Sequence, residues 1–191
     1  MKLIIASNNK DKITEIKAIL SPFFDDIVSL REAGIEHETV EDGTTFMQNA
    51  EKKAREIAEL SGCCAIADDS GLCVDALGGA PGIYSARFCG RHGDDAANNR
   101  LLLEKMKDEK DRRAHYTCAV VLAFPTGEVI TAEDYFHGEI AYDERGENGF
   151  GYDPLFYLPE YGCTSAEIEP EEKNRISHRA KALKAIVKKL R

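Results

Sequence analysis

The run Cys63-Cys64-Ala65-Ile66-Ala67 passes without a break into Asp68-Asp69-Ser70-Gly71, and no other feature of the sequence constrains the fold as much. Five small or apolar residues in succession predict a strand buried on both faces. Two adjacent carboxylates at the end of such a strand repel one another, and removal from water raises that cost. A divalent cation relieves both problems. Magnesium takes oxygen ligands and binds through one or two carboxylates together with substrate phosphates. The competing reading is an exposed Asx turn leading into Ser70-Gly71.

The rest of the chain alternates in the same way. Residues 3–6 read as a short buried strand that ends in the polar loop Ser7-Asn8-Asn9-Lys10. Ile13, Ile16, Ala18, Ile19 and Leu20 follow with roughly helical spacing until Pro22. A second helix is expected over residues 45–60, with Phe46, Ala50, Ala54, Ile57 and Ala58 on one face and Gly62 at its end. Residues 78–82 form a glycine-rich turn, residues 98–106 a helix and residues 108–113 a charged loop. Residues 116–124 and 128–140 read as two strands around Pro125-Thr126-Gly127. Residues 149–154 form a loop, and a last helix is expected over 177–190. The pattern predicts an α/β fold, a mixed β-sheet flanked by helices. Without repeats, low-complexity tracts or linkers, residues 1–191 read as a single domain.

The net charge of -9 removes any broad basic field, so nucleic acid and anionic membrane surfaces are not expected partners. An anionic small substrate then needs a local basic pocket. The six cysteines show no CxxC pair and no zinc spacing, and are expected to be reduced thiols in a reducing, cytoplasmic compartment. The four apolar residues before Ser7 are too few for a signal peptide or a membrane span.

Four segments can carry chemistry. In Ser7-Asn8-Asn9-Lys10-Asp11-Lys12, a strand feeds a helix N-terminus, where backbone N–H groups, Ser7, Asn9 and Lys12 can hold phosphate. A simple helix cap with a solvated lysine explains the same residues, and no Walker loop occurs. Glu41-Asp42-Gly43 adds carboxylates ahead of the second helix. On that helix Lys52 and Lys53 point in different directions, so at most one faces Asp68 and Asp69, and the pattern by itself favours a solvated helix face for both. Phe150-Gly151-Tyr152-Asp153 can stack on a nucleobase, or can be a turn with core aromatics. In Ser177-His178-Arg179, Ser177 suits an N-cap, and Arg179 can donate to a carbonyl but not to an amino group. Surface roles for His178 and Arg179 remain open.

Taken in order, these segments resemble the inosine/xanthosine triphosphate pyrophosphatase family. The most specific stretch is Ala67-Asp68-Asp69-Ser70-Gly71-Leu72 followed by Gly78-Gly79-Ala80-Pro81-Gly82-Ile83-Tyr84-Ser85-Ala86-Arg87. The resemblance implies a two-lobed α/β protein with its active site in the cleft between lobes, generally a homodimer. It implies hydrolysis of non-canonical purine nucleoside triphosphates to the monophosphate and pyrophosphate, with Mg2+. By the same resemblance, Glu41 and Asp69 fit the metal ligands, with Asp69 also the base that activates water for attack on the α-phosphorus. Ser7, Asn9, Lys12 and Lys53 fit phosphate contacts, with Asp68 a supporting carboxylate and Ser70 a substrate contact. Phe150, Gly151, Tyr152 and Asp153 fit the base and sugar pocket, and Lys173, His178 and Arg179 contacts to the base. Arg179 donating to a 6-keto group would reject adenine, by about 10⁴-fold for sites of this kind. One departure is Asn8, where many members have glycine. The alternatives are a pyrophosphatase for modified pyrimidine nucleotides and a non-catalytic nucleotide sensor. Asp68-Asp69-Ser70 lacks the DxD spacing of a haloacid-dehalogenase-type phosphatase.

Overall fold

Strands and helices follow one another as β1 (Lys2–Ile5), α1 (Lys10–Leu20), β2 (Asp26–Ser29), α2 (Phe46–Ser61), β3 (Cys64–Val74), α3 (Asp95–Lys105), β4 (Arg113–Ala123), β5 (Val129–Ile140), β6 (Phe156–Leu158), β7 (Cys163–Thr164), α4 (Pro170–Ile176) and α5 (His178–Lys189). These come from a computed structural model that describes residues 2–190. Met1 and Arg191, the two ends of the expected single-domain span, lie outside the described residues. The sheet is mixed and seven-stranded, in the order β2-β1-β3-β4-β5-β6-β7. β1 runs parallel to β2 and β3, while β6 runs antiparallel to β5 and β7. Helical connections such as α1 supply the crossovers that parallel neighbours require.

The chain divides into two compact units. The first comprises Met1–Asp69, Cys118–Asp134 and His178–Arg191, and the second Ser70–Thr117 and Tyr135–Ser177. In the first unit, period-2 alternation sorts the apolar residues onto two faces. Leu3, Ile5, Ile66, Cys118, Val120 and Leu122 pack with Ile16 and Ile19 of α1 and Leu183 and Ile186 of α5. Ile4, Ala65, Ala67, Ala119 and Val121 pack with Ala50, Ala54, Ile57 and Ala58 of α2. Burial on both faces explains why these strands read as continuous apolar runs. Alanines on both sides of the α2 interface let the helix approach the sheet closely.

The second unit is built on aromatics. Tyr116 and Phe136 pack on Phe156, with ring centroids 4.7 and 5.5 Å apart, among Leu72, Leu102 and Leu155. Gly138 permits this, since a Cβ there would lie 2.5 Å from the Tyr157 carbonyl oxygen and 2.8 Å from Phe156 Cζ. Arg112 is buried and donates to the carbonyls of Met106, Ile140 and Ala141. The expected charged loop therefore contains a staple, since three carbonyls replace the water that would otherwise solvate the guanidinium.

Two further expectations need correction. The strand expected to end before Asp68 continues through both aspartates to Val74. The last helix, expected from residue 177, is preceded by α4, and Ser177 is the extended C-cap that separates α4 from α5. Pro170 at the first turn of α4 starts a helix too short for its periodicity to register.

Candidate active site

Because side chains alternate along β3, Asp68 and Asp69 point to opposite faces. Mutual repulsion in one shared site, the expectation from their adjacency, is avoided by geometry. Each carboxylate has its own set of partners.

Asp68 shares the face of Cys64 and Ile66, toward α1 and α5, and is 1% exposed. Its Oδ2 lies 3.1 Å from Lys12 Nζ and accepts from Arg179 Nη2 at 3.0 Å and Nε at 3.2 Å. The Cys118 thiol, on the same face of β4, lies 3.9 Å away. Burial opposes the Asp68 anion, but Lys12, Arg179 and Lys53 outweigh it and hold the carboxyl far below its ordinary range. Burial, followed by the Asp68 charge, pushes the Cys118 thiol well up, so it remains protonated. Arg179 is 2% exposed, and its Nη1 donates to Glu15 on α1. Its guanidinium is thus clamped between two carboxylates. A buried guanidinium needs such compensation, and Glu15 had no motif to announce it.

Asp69 shares the face of Ala65 and Ala67, toward α2, and is 7% exposed. Asn49 Nδ2 donates to its Oδ2 at 3.1 Å, and Lys53 Nζ lies 3.7 Å from its Oδ1. The same ammonium donates to Glu41 Oε1 at 2.6 Å. Lys53 and Glu41 thus converge with Asp69, while Lys52 turns aside to Asp42 at 2.8 Å. Burial dominates at Asp69 and raises its pKa despite Lys53 and Lys12. Burial works against the Lys53 ammonium, yet Asp69 and Glu41 prevail and raise its pKa. Among the described residues no three His, Cys, Asp or Glu side chains form a metal cage. Glu41 and Asp69 meet at the Lys53 ammonium.

The loop after β1 caps α1. Asn9 is the N-cap and accepts from the Lys12 N–H at 3.0 Å, while Ser7 Oγ accepts from the Asn9 N–H at 3.2 Å. A cavity of about 730 Å3, lined by Asn8, Arg31 and residues 34–38, adjoins this loop. Ser70, the next residue of β3, is half-buried.

In the second unit the loop at residues 149–153 is locked from below. Asp153, buried, accepts from the Phe150 N–H at 2.9 Å and from Lys173 Nζ at 2.6 Å. A Cβ at Gly149 would lie 2.1 Å from Asp153 Oδ2, so only glycine leaves the carboxylate its place. Lys173 Nζ also sits 4.8 Å from the centre of the half-buried Phe150 ring. Asp95 and Asn99, one turn apart on α3, take the N–H and C=O of Gly151 at 2.9 and 3.1 Å. Tyr152 is 4% exposed and donates to the Ser85 carbonyl at 2.7 Å. Tyr152 is therefore a core residue, the outcome that burial of so large a ring favours. His178 is buried at the start of α5.

Buried carboxylates facing lysines across a central strand, and a glycine-framed aromatic loop, define an α/β protein equipped to handle a charged ligand. More narrowly, the chain belongs to the Ham1 family, whose sequence model matches residues 3–189. A dITP/XTP pyrophosphatase of Exiguobacterium sp. is 50% identical over 186 residues, covering 97% of this chain and 95% of that protein. A dITP/XTP pyrophosphatase of Desulforamulus reducens is 51% identical over 186 residues, covering 96% and 92%. The solved Ham1 protein of Staphylococcus aureus superposes with a TM-score of 0.89 at 40% identity, covering 100% of this chain and 98% of that one.

Proposed function

We propose that this chain hydrolyses the non-canonical purine nucleoside triphosphates ITP, dITP and XTP to the nucleoside monophosphate and pyrophosphate. The observation that carries the reading is the buried Asp69 carboxylate with Lys53 and Glu41 at hand. Relatives named dITP/XTP pyrophosphatase, half identical over nearly the whole chain, support it. The family match over residues 3–189 supports a single pyrophosphatase domain.

Magnesium fits the donor set, because Glu41 and Asp69 already share one cation and offer hard oxygen ligands. Glu41 and Asp69 would hold the ion, which supplies Lewis-acid neutralisation of phosphate charge. Asp69 takes the proton of the water that attacks the α-phosphorus, a task suited to a carboxylate whose pKa burial has raised. Lys12, Lys53, Ser7, Asn9 and the first amides of α1 hold the phosphates. Ser70 contacts the substrate. Phe150 stacks on the base, Gly151, Tyr152 and Asp153 shape its pocket, and Lys173 and His178 donate to it. Arg179 stands behind Asp68 as its anchor. Six free thiols support a reducing, cytoplasmic setting, and among the described residues no helix is long and apolar enough to cross a membrane. The homodimer implied by the family resemblance is tested by light scattering.

The decisive assay measures pyrophosphate and orthophosphate from ITP, XTP, ATP and GTP, with and without magnesium. Magnesium-dependent pyrophosphate from ITP and XTP supports the reading. Orthophosphate, equal turnover of ATP, or preference for a modified pyrimidine nucleotide overturns it.

A further inference from the structure

Asn49 is 1% exposed on α2, and the chemistry above makes no use of it. Both ends of its amide are engaged. Oδ1 accepts from the Gly43 N–H at 2.9 Å, and Nδ2 donates to Asp69 Oδ2 at 3.1 Å. A backbone N–H can only donate and an ionised carboxylate can only accept, so a single amide orientation satisfies both. Gly43 is what lets the loop close on the amide, since a Cβ there would lie 2.6 Å from Asn49 Oδ1. Asn49 and Lys53 are four residues apart and lie on one stripe of α2. Toward Asp69 the helix therefore presents a neutral donor at Oδ2 and a cation nearer Oδ1.

We propose that Asn49 is a positioning residue for the hydrolysis: it fixes the Asp69 carboxylate by Oδ2 and ties Asp69 to the Glu41-Asp42-Gly43 loop. The two carboxylates are then spaced by one amide, which bridges the strand bearing Asp69 and the loop bearing Glu41. The inference rests on the Asp69 reading given above.

Asn49→Ala and Asn49→Asp in the full chain test it. Pyrophosphate release from ITP is measured across a magnesium series, Mn(II) binding without nucleotide is followed by electron paramagnetic resonance, and thermal unfolding gives the folded fraction. Residues behind a metal ligand typically change metal affinity or activity by 10- to 100-fold, so kcat should fall by about 10- to 100-fold and Mn(II) affinity by about tenfold. KM for ITP should stay within about threefold, since no substrate contact is removed. Asn49→Asp keeps the side chain's shape and the acceptor for Gly43 but removes the donor to Asp69. Above neutral pH it should do no better than Asn49→Ala, and it carries the comparison if the alanine variant does not fold. Folded variants with kcat and Mn(II) affinity within about twofold of the parent overturn the proposal, as does parental activity in Asn49→Asp. If the parent itself releases no pyrophosphate, the Asp69 reading fails, and unchanged Mn(II) affinity in the variants separately overturns the role of Asn49.

Discussion

On one face of β3, Asp68 meets two full cations in Lys12 and Arg179; on the other, Asp69 meets one lysine, shared with Glu41, and a neutral amide. Both aspartates are buried and adjacent in sequence. Their proton affinities nevertheless move in opposite directions, down for Asp68 and up for Asp69. Burial penalises both anions, and the number of cations within reach decides the sign. Asp68 is therefore a fixed charge inside a structural network. Asp69 has the raised proton affinity that the general-base role proposed for it calls for. Adjacency on a strand places two like groups on opposite faces and so in different chemical environments.

Substitutions at the two positions should separate these roles. Asp69→Asn should lower pyrophosphate release by about 10³-fold, the general-base contribution. It should leave urea unfolding no easier than in the parent, because folding opposes the charge it removes. Asp68→Asn should do the reverse in the unfolding assay and destabilise by about 3–5 kcal/mol, as when one member of a buried ion cluster is neutralised. Comparable stability losses in the two variants would erase the distinction.

Arg179→Ala sharpens the comparison on the Asp68 side. Misplacement of a supporting group can cost about 100-fold, and here the loss should fall equally on ITP and ATP, leaving their ratio unchanged. A collapse of the ratio with ITP turnover retained would return Arg179 to the base. The smallest effect is expected at Glu32, an exposed carboxylate held down to about 2, chiefly by the hydrogen bond from Lys17 and then by Ser29. Its folded pKa lies below the ordinary 4.5, so its contribution is present above about pH 4.5 and disappears as pH falls through about 2. Glu32→Gln should lower the melting temperature slightly at neutral pH, and the difference should close in acid. A persistent difference at low pH would mean that Glu32 acts through packing and not through charge.

The first unit was more legible than the second. Its strands are apolar on both faces and its helices carry long apolar stripes, so β1, α1, α2 and α5 are close to the sequence reading, and β3 is legible as far as Ala67. Thr45 and Gly62 capped α2 at the expected ends. In the second unit, β6, β7 and α4 are three, two and seven residues long, too short for periodicity to register. Among site residues, Lys53, Asp69 and Glu41 come together, whereas the helix pattern alone favours a solvated face for Lys53. Glu15, Asn49, Asp95 and Asn99 stand in no motif of the sequence, since each acts through a hydrogen bond to a segment distant along the chain. The spacing of Glu15 from Lys12 on α1 was a usable signal, because residues three apart share a helix face.

By itself the sequence determined the alternation of the longer strands and helices, the two-faced apolar strand and the ends of α2, because these depend on neighbours within a few residues. Tertiary structure alone decided that the proton affinity of Asp68 is lowered and that of Asp69 raised. That distinction depends on cations brought from α1, α2 and α5, and electrostatic energy follows distance in space and local burial, neither of which the order of residues records.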